Sequence, residues 1–174
     1  MTGILPASKG SIKVLGKDLS KMSLIERDRY RGKHIGYIFQ MFNLIPFLSV
    51  RDNLLLSSKF FGASKKKSQV NLDQKIDQLA ERLSIKASLD KKPSEMSIGQ
   101  QQRVAAARAI LGAPELIIAD EPTSSLDHAN RDEFIKLLFE EAKACGSTVI
   151  FVSHDMTLSH RFEHKISFMD VNKI

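Results

Sequence analysis

Two adjacent carboxylates, Asp120 and Glu121, close a short apolar run, Leu116-Ile117-Ile118-Ala119, in a chain of 174 residues. The run does not alternate, which is the pattern of a parallel strand buried on both faces. Open α/β sheets bind ligands just beyond the carboxyl ends of such strands. The paired side chains suit a cation and a hydrolytic base. One carboxylate can hold Mg²⁺, directly or through water, while its neighbour orients or deprotonates a water that attacks a phosphoryl group.

The elements that must hold this pair are also legible. Ser97 precedes Gln100 by three residues, a capping box in which the serine accepts from a free backbone N–H and the glutamine reaches back. A helix therefore starts there. Residues 103–111 are rich in alanine, a strong helix former whose small side chain lets neighbours lie close, and Gly112 and Pro114 stop the helix. Downstream, residues 148–152, TVIFV, predict a buried β-branched strand with Ser153, His154 and Asp155 at its end. Residues 35–39 predict a further strand closed by Gln40. Taken singly, a histidine or glutamine at a strand end is more often structural than functional, and Ser97 has a sufficient role as a helix cap.

Taken together, the motifs resemble those of ATP-binding cassette proteins, over essentially the whole chain. Residues 97–103, SIGQQQR, resemble the family's signature motif, and LIIADEP resembles its Walker B strand with the following glutamate. Residues 124–127, SSLD, resemble the D-loop, His154 in FVSHD the switch histidine, and Gln40 in IGYIFQ the Q-loop glutamine. The rhythm of IGYIFQMFNLIPFLSVRDNLLL is closest to transporter cassettes of the lipoprotein-releasing and macrolide-exporter type. The resemblance implies a P-loop-type, mostly parallel α/β sheet flanked by helices, as a single domain over residues 1–174. A helical subdomain bearing the signature would be inserted at about 45–112.

The resemblance also implies roles. Asp120 would hold Mg²⁺, Gln40 would reach the Mg²⁺ or the attacking water, Glu121 would polarise that water, and His154 would contact the γ-phosphate of ATP. Ser97, Gly99, Gln100 and Asp127 would bind nucleotide held by a second cassette, because in the family two cassettes face each other head to tail. The helix dipole behind Ser97 and Gly99 favours a phosphate there. Ile98 stands where the family has glycine, and its branched side chain opposes close backbone approach. A transmembrane permease subunit would dock through the region 40–50, whose Phe42, Leu44, Ile45, Pro46, Phe47, Leu48 and Val50 form an unusually apolar loop. Packing beneath the next helix, residues 50–57, is the alternative use of those side chains. The expected location is cytoplasmic, peripheral on the inner face of the membrane.

One part of the pattern is missing. No GxxxxGK[ST] phosphate loop occurs in the sequence, and Gly10 to Asp18 fails as one because the spacing is a residue too long and Asp18 replaces the required hydroxyl. The resemblance implies that the chain begins just after that loop, which supplies the N–H cradle for the phosphates. These residues alone are therefore expected to bind ATP poorly and hydrolyse it negligibly, and the absent strand would leave its neighbours unpaired and prone to association.

Bulk properties bound the alternatives. A hydrophobic fraction of 43% with 26% charged residues is globular, and the length suits one domain. A net charge of +6 permits anionic partners. However, the run Lys65-Lys66-Lys67 lacks interleaved aromatics, and no nucleic acid is expected. The single cysteine excludes an internal disulfide, and no apolar run reaches the length of a membrane span. The remaining elements are a strand over 11–15 with a turn at 16–18, a helix opened by the Ser23/Glu26 capping box, and a surface loop over 62–70. A core-packed helix follows over 71–85, an amphipathic helix over 129–144 ends at Gly146, and a last strand occupies 166–169. Two rival functions stay open: a non-catalytic interaction module, and a cassette acting on nucleic acid. The second fits poorly, because repair cassettes of that type insert long coiled coils and no sustained heptads lie between Gln40 and Ser97.

Overall fold

In a computed structural model, residues 10–58, 66–167 and 170 are described, with the side chains of 66–71 left aside. Strand β3 (Ile35–Ile38), β4 (Leu116–Asp120) and β5 (Thr148–Val152) form a parallel sheet in the order β3-β4-β5. Tyr37 lies opposite Ile118, and Ile118 opposite Ile150. This common register brings Gln40, the Asp120–Glu121 pair and His154 to the same carboxyl rim. Among the described residues β5 pairs only with β4.

Each crossover is helical, as parallel strands require. Helix α1 (Leu24–His34) starts on the Ser23/Glu26 capping box and runs straight into β3. Between β3 and β4 the chain forms α2 (Val50–Ser58), α3 (Lys66–Arg82) and α4 (Ile98–Ile110), and between β4 and β5 it forms α5 (His128–Cys145). Gly146 ends α5 at φ 69°, a left-handed cap that glycine adopts without a steric penalty. The main core gathers Ile38, Leu54, Ile76, Leu83 and Val104 with Ile117, Phe134 and Leu138. A smaller cluster of Ile35, Leu116 and Ile118 includes partly buried Tyr37 and Ile150.

The elements match the expected strands and helices with four differences. The strand expected over 11–15 is reduced to β1 (Lys13–Val14), and the turn is Leu15-Gly16, both at positive φ, before the antiparallel return β2 (Lys17–Asp18). Two residues in that conformation match the twist of a hairpin, so Lys17 and Asp18 pair rather than turn. The loop expected over 62–70 is helical from Lys66, while 62–65 lie outside the described residues. Lysine and glutamine are good helix formers, and a basic run need not be a loop. Ile166 and Ser167 are not in a strand, and residues 168–169 of that expected strand lie outside the description, as do 1–9. No helix among the described residues is long and apolar enough to cross a membrane.

The loop over 41–50 divides its apolar side chains between core and solvent. Phe42 and Leu44 pack on the core and Val50 is buried, whereas Met41 and Phe47 are 81% and 74% exposed. Asn53 of α2, almost fully buried, pins the loop by accepting from the Ile45 N–H at 2.8 Å and donating to the Ile45 carbonyl at 3.1 Å.

Candidate functional site

The rim centres on Glu121. Its backbone N–H donates to the Val152 carbonyl at 3.0 Å, extending the β4–β5 ladder by one bond, while its φ is 46°. A non-glycine residue in the left-handed region carries a steric cost of about 1–3 kcal/mol, and such residues cluster at functional sites. The turn aims the carboxylate across to the end of β5. There Glu121 Oε1 accepts from the backbone N–H of His154 and lies 2.8 Å from its Nδ1. The two side chains differ in access: that of Glu121 is 19% exposed and that of His154 80%. The histidine therefore presents the rest of its ring to solvent while its near nitrogen is held by the carboxylate.

Asp120 is anchored separately. The Tyr37 hydroxyl, one strand away, donates to Asp120 Oδ2 at 3.0 Å. Burial first, and this hydrogen bond and charge second, push the Tyr37 phenol up to about 12. Tyr37 thus stays a neutral donor across the physiological range and fixes one oxygen of Asp120, leaving the other for a ligand. No group of three or more His, Cys, Asp or Glu side chains suited to a metal gathers among the described residues. A closed protein cage is not built here. Mg²⁺, however, keeps several waters and takes one or two carboxylates plus substrate phosphates, and a single oriented aspartate fits that demand.

The remaining candidates fall into a second group. Ser97 caps α4 in a reciprocal box: its Oγ accepts from Gln100 N–H at 3.3 Å, and Gln100 Oε1 accepts from Ser97 N–H at 3.1 Å. Gly99 follows in the first turn, and a Cβ there would meet nothing closer than Leu126 Cδ2 at 3.8 Å. Internal packing therefore does not demand glycine at 99. Ile98 is 52% exposed on the same turn. Ser97, Gly99 and Gln100 line a cavity of about 200 Å³ with Gln102, Leu126 and Asn130. Asp127 spends its carboxylate as the cap of α5, accepting from Asn130 N–H at 2.9 Å. These hydrogen bonds, first among them that from the Asn130 backbone, lower its pKa below the ordinary value.

The sequence places Asp120, Glu121 and His154 together, and so does the structure. Gln40, exposed in the turn after β3, shares their rim by register, whereas Ser97, Gly99 and Gln100 form the separate cluster beside Leu126. Three contributors escaped the sequence reading. Tyr37 orients Asp120, Asn53 pins the apolar loop, and the fully buried Gln102 donates through Nε2 to the Pro122 carbonyl, fastening α4 to the turn after Glu121. No local signal in the sequence marks any of the three.

Parallel strands joined by helices, with an aspartate, a glutamate and a histidine at their carboxyl ends, define an α/β domain with a polar carboxyl rim. A family model described as ABC transporter matches residues 1–124. The Escherichia coli K12 protein called "Uncharacterized ABC transporter ATP-binding protein YbbA" is 37% identical over 161 residues, covering 92% of this chain and 69% of that protein. The lipoprotein-releasing system ATP-binding protein LolD of Bacteroides fragilis is 33% identical, covering 95% of this chain and 74% of that one. Among solved structures, the ATP-binding cassette MJ0796, a dimer in a post-hydrolysis state bound to ADP and Pi, superposes with a TM-score of 0.76 at 31% identity. That match covers 90% of this chain and 68% of MJ0796. The chain belongs to the ABC transporter family, as an ATP-binding subunit with the α/β cassette fold.

Proposed function

We propose that this chain is the motor part of a transporter, coupling ATP binding and hydrolysis between two facing cassettes to movement of a transmembrane permease. The observation that carries the reading is the Glu121–His154 contact beside an oriented Asp120 at one sheet rim. In this scheme Glu121 polarises the attacking water, and His154, already held by Glu121, contacts the γ-phosphate through its outer nitrogen. Asp120 and Gln40 are the residues that would hold Mg²⁺, which neutralises developing phosphate charge. Ser97 and Gly99 offer a hydroxyl and a backbone N–H to the nucleotide of the second cassette, with Gln100 keeping the turn in shape and Asp127 holding the loop beside it. The solvent-facing Ile98 lies in the path of that approach and weakens it.

We place the permease contact at residues 40–50. A cleft of about 520 Å³ adjoins this loop, lined by Phe39, Ile45 and Leu56 with Asp28 and Arg31, and exposed Met41 and Phe47 extend its apolar rim. A partner helix with a short apolar tip suits such a surface. The domain is read as a single cassette over 1–174 with a helical subdomain at about 45–112, peripheral on the cytoplasmic face of the membrane. Because the sequence carries no GxxxxGK[ST], these 174 residues are proposed to be nearly inactive alone. A second reading is a non-catalytic module that keeps the coupling surfaces.

The test is to place a strand–GxxxxGKS–helix segment ahead of residue 1 and compare it with the same chain carrying Glu121→Gln. The expected result is Mg²⁺-dependent turnover that falls about 100-fold or more in the variant, with dimers accumulating in ATP. An extended chain that binds ATP and never turns it over would support the non-catalytic module instead.

A further inference from the structure

The loop after Gln40 is fastened to the signature helix by a residue outside the rim. Arg108, in the last turn of α4, donates through one guanidinium nitrogen to the Asn43 carbonyl and through the other to the Phe42 carbonyl, each at 2.6 Å. Phe42 and Asn43 both have positive φ, 58° and 49°. Asparagine tolerates that region, but a bulky aromatic residue rarely enters it. The N–H of Phe42 donates to the Phe39 carbonyl at 3.0 Å and that of Asn43 to the Met41 carbonyl at 2.6 Å, so the chain doubles back tightly directly after Gln40. The next residue on the helix, Ala109, meets β3 just as closely: a Cβ added at Gly36 would stand 2.3 Å from the Ala109 carbonyl oxygen. Strand and helix therefore touch backbone to backbone, and Arg108 extends that contact into the loop.

We propose that Arg108 is a positioning residue whose forked guanidinium holds the Phe42–Asn43 backbone in its left-handed turn and locks the loop after Gln40 to α4. The geometry explains why an arginine is needed. Two carbonyls on successive residues are spanned by two N–H donors of one planar group, and a charged donor strengthens both bonds. Arg108 is half-buried, and that burial pulls the guanidinium's pKa down from its usual value. The lock has a mechanical consequence. A displacement of the loop either breaks both bonds or carries α4 with it, and the far end of α4 bears Ser97 and Gly99. Asn53 fastens the other side of the same loop to α2, so the segment between the two fasteners moves with both helices or not at all.

The lock involves backbone and one side chain only, so its test stands whether or not these residues hydrolyse ATP. Amide hydrogen exchange would be followed by NMR on the full chain, comparing the parent with Arg108→Gln and Arg108→Lys. The expected result is exchange at Phe42 and Asn43 at least ten-fold faster in Arg108→Gln, with Ile117 and Ile118 of β4 little changed and the Ser97 and Gly99 amide signals displaced. Arg108→Lys keeps the charge and most of the stem but cannot form the fork, so it is expected to rescue the loop amides poorly. It also serves as the measured variant should Arg108→Gln fail to fold. Unchanged exchange at Phe42 and Asn43, full rescue by lysine, or a uniform rise across β4 and the loop alike would each overturn the proposal.

Discussion

Glu121 shows how much of the site is decided within a single residue. Its left-handed backbone turns the carboxylate toward His154, and a hydrogen bond to Val152 holds it there. Tyr37 does the corresponding work for Asp120, and its titration is a direct probe of that contact. The raised phenol pKa favours the protonated form in the folded chain, and Tyr30 is likewise raised, mainly by burial. By linkage, the stability these tyrosines contribute is complete below their ordinary value of 10 and is lost as pH rises through the folded values, about 12 for Tyr37. Denaturant titrations from pH 9 to 12 are expected to show falling stability across that window. Replacing Asp120 with Asn is expected to lower the Tyr37 midpoint in an ultraviolet phenolate titration while leaving it above the ordinary value, because burial, the largest cause, persists. An unchanged midpoint would remove Tyr37 from the site. Asp120, Glu121 and His154 were legible because each ends a strand with a strong local pattern. Tyr37 and Arg108 were not, since their bonds join residues 83 and 65–66 positions apart and leave no local spacing to read.

At the scale of elements, α4 is the part that ties the molecule together. Its N-terminus is capped by Ser97, its middle is pinned to Pro122 by Gln102, and its last turn lies against β3 at Gly36. Two glycine substitutions separate packing from function. Gly36→Ala places a methyl on the Ala109 carbonyl and is expected to cost about 3 kcal/mol or abolish folding. Gly99→Ala meets only Leu126 Cδ2, at an ordinary van der Waals distance of 3.8 Å, and adds helix propensity, so chemical denaturation is expected to find it neutral or stabilised by up to about 1 kcal/mol. Equal losses for both would mean that the close approach at Gly36 is not what requires glycine there. Ser97→Ala, which deletes the cap, is expected to cost about 1 kcal/mol in the same assay. Caps and β-branched runs exposed these elements in the sequence. The Leu15-Gly16 turn and the start of α3 at Lys66 were hidden, because leucine does not announce a positive φ and lysine is as much at home on a helix as in a loop.

At the scale of the whole domain, these 174 residues carry the carboxyl rim of a cassette, and no GxxxxGK[ST] occurs among them. The sheet order leaves β5, an uncharged run of β-branched and aromatic residues, with one paired edge among the described residues, and such edges invite further strands. Static light scattering is expected to show association that grows with concentration and is relieved by a lysine at the 43% exposed Val152 of that strand (Val152→Lys). The fold class and the grouping of the rim were accessible from the sequence, because hydrophobic runs and motif order survive without long-range information. The division of the 41–50 loop between core and solvent was not, because apolar composition alone does not say which side chains face inward. The most direct measurement is steady-state turnover of Mg²⁺-ATP by the purified 174 residues, beside the same chain extended by a strand and a GxxxxGKS loop. Negligible turnover by the first and Glu121-dependent turnover by the second is the expected result; a rate from the 174 residues alone equal to that of the extended chain would contradict it.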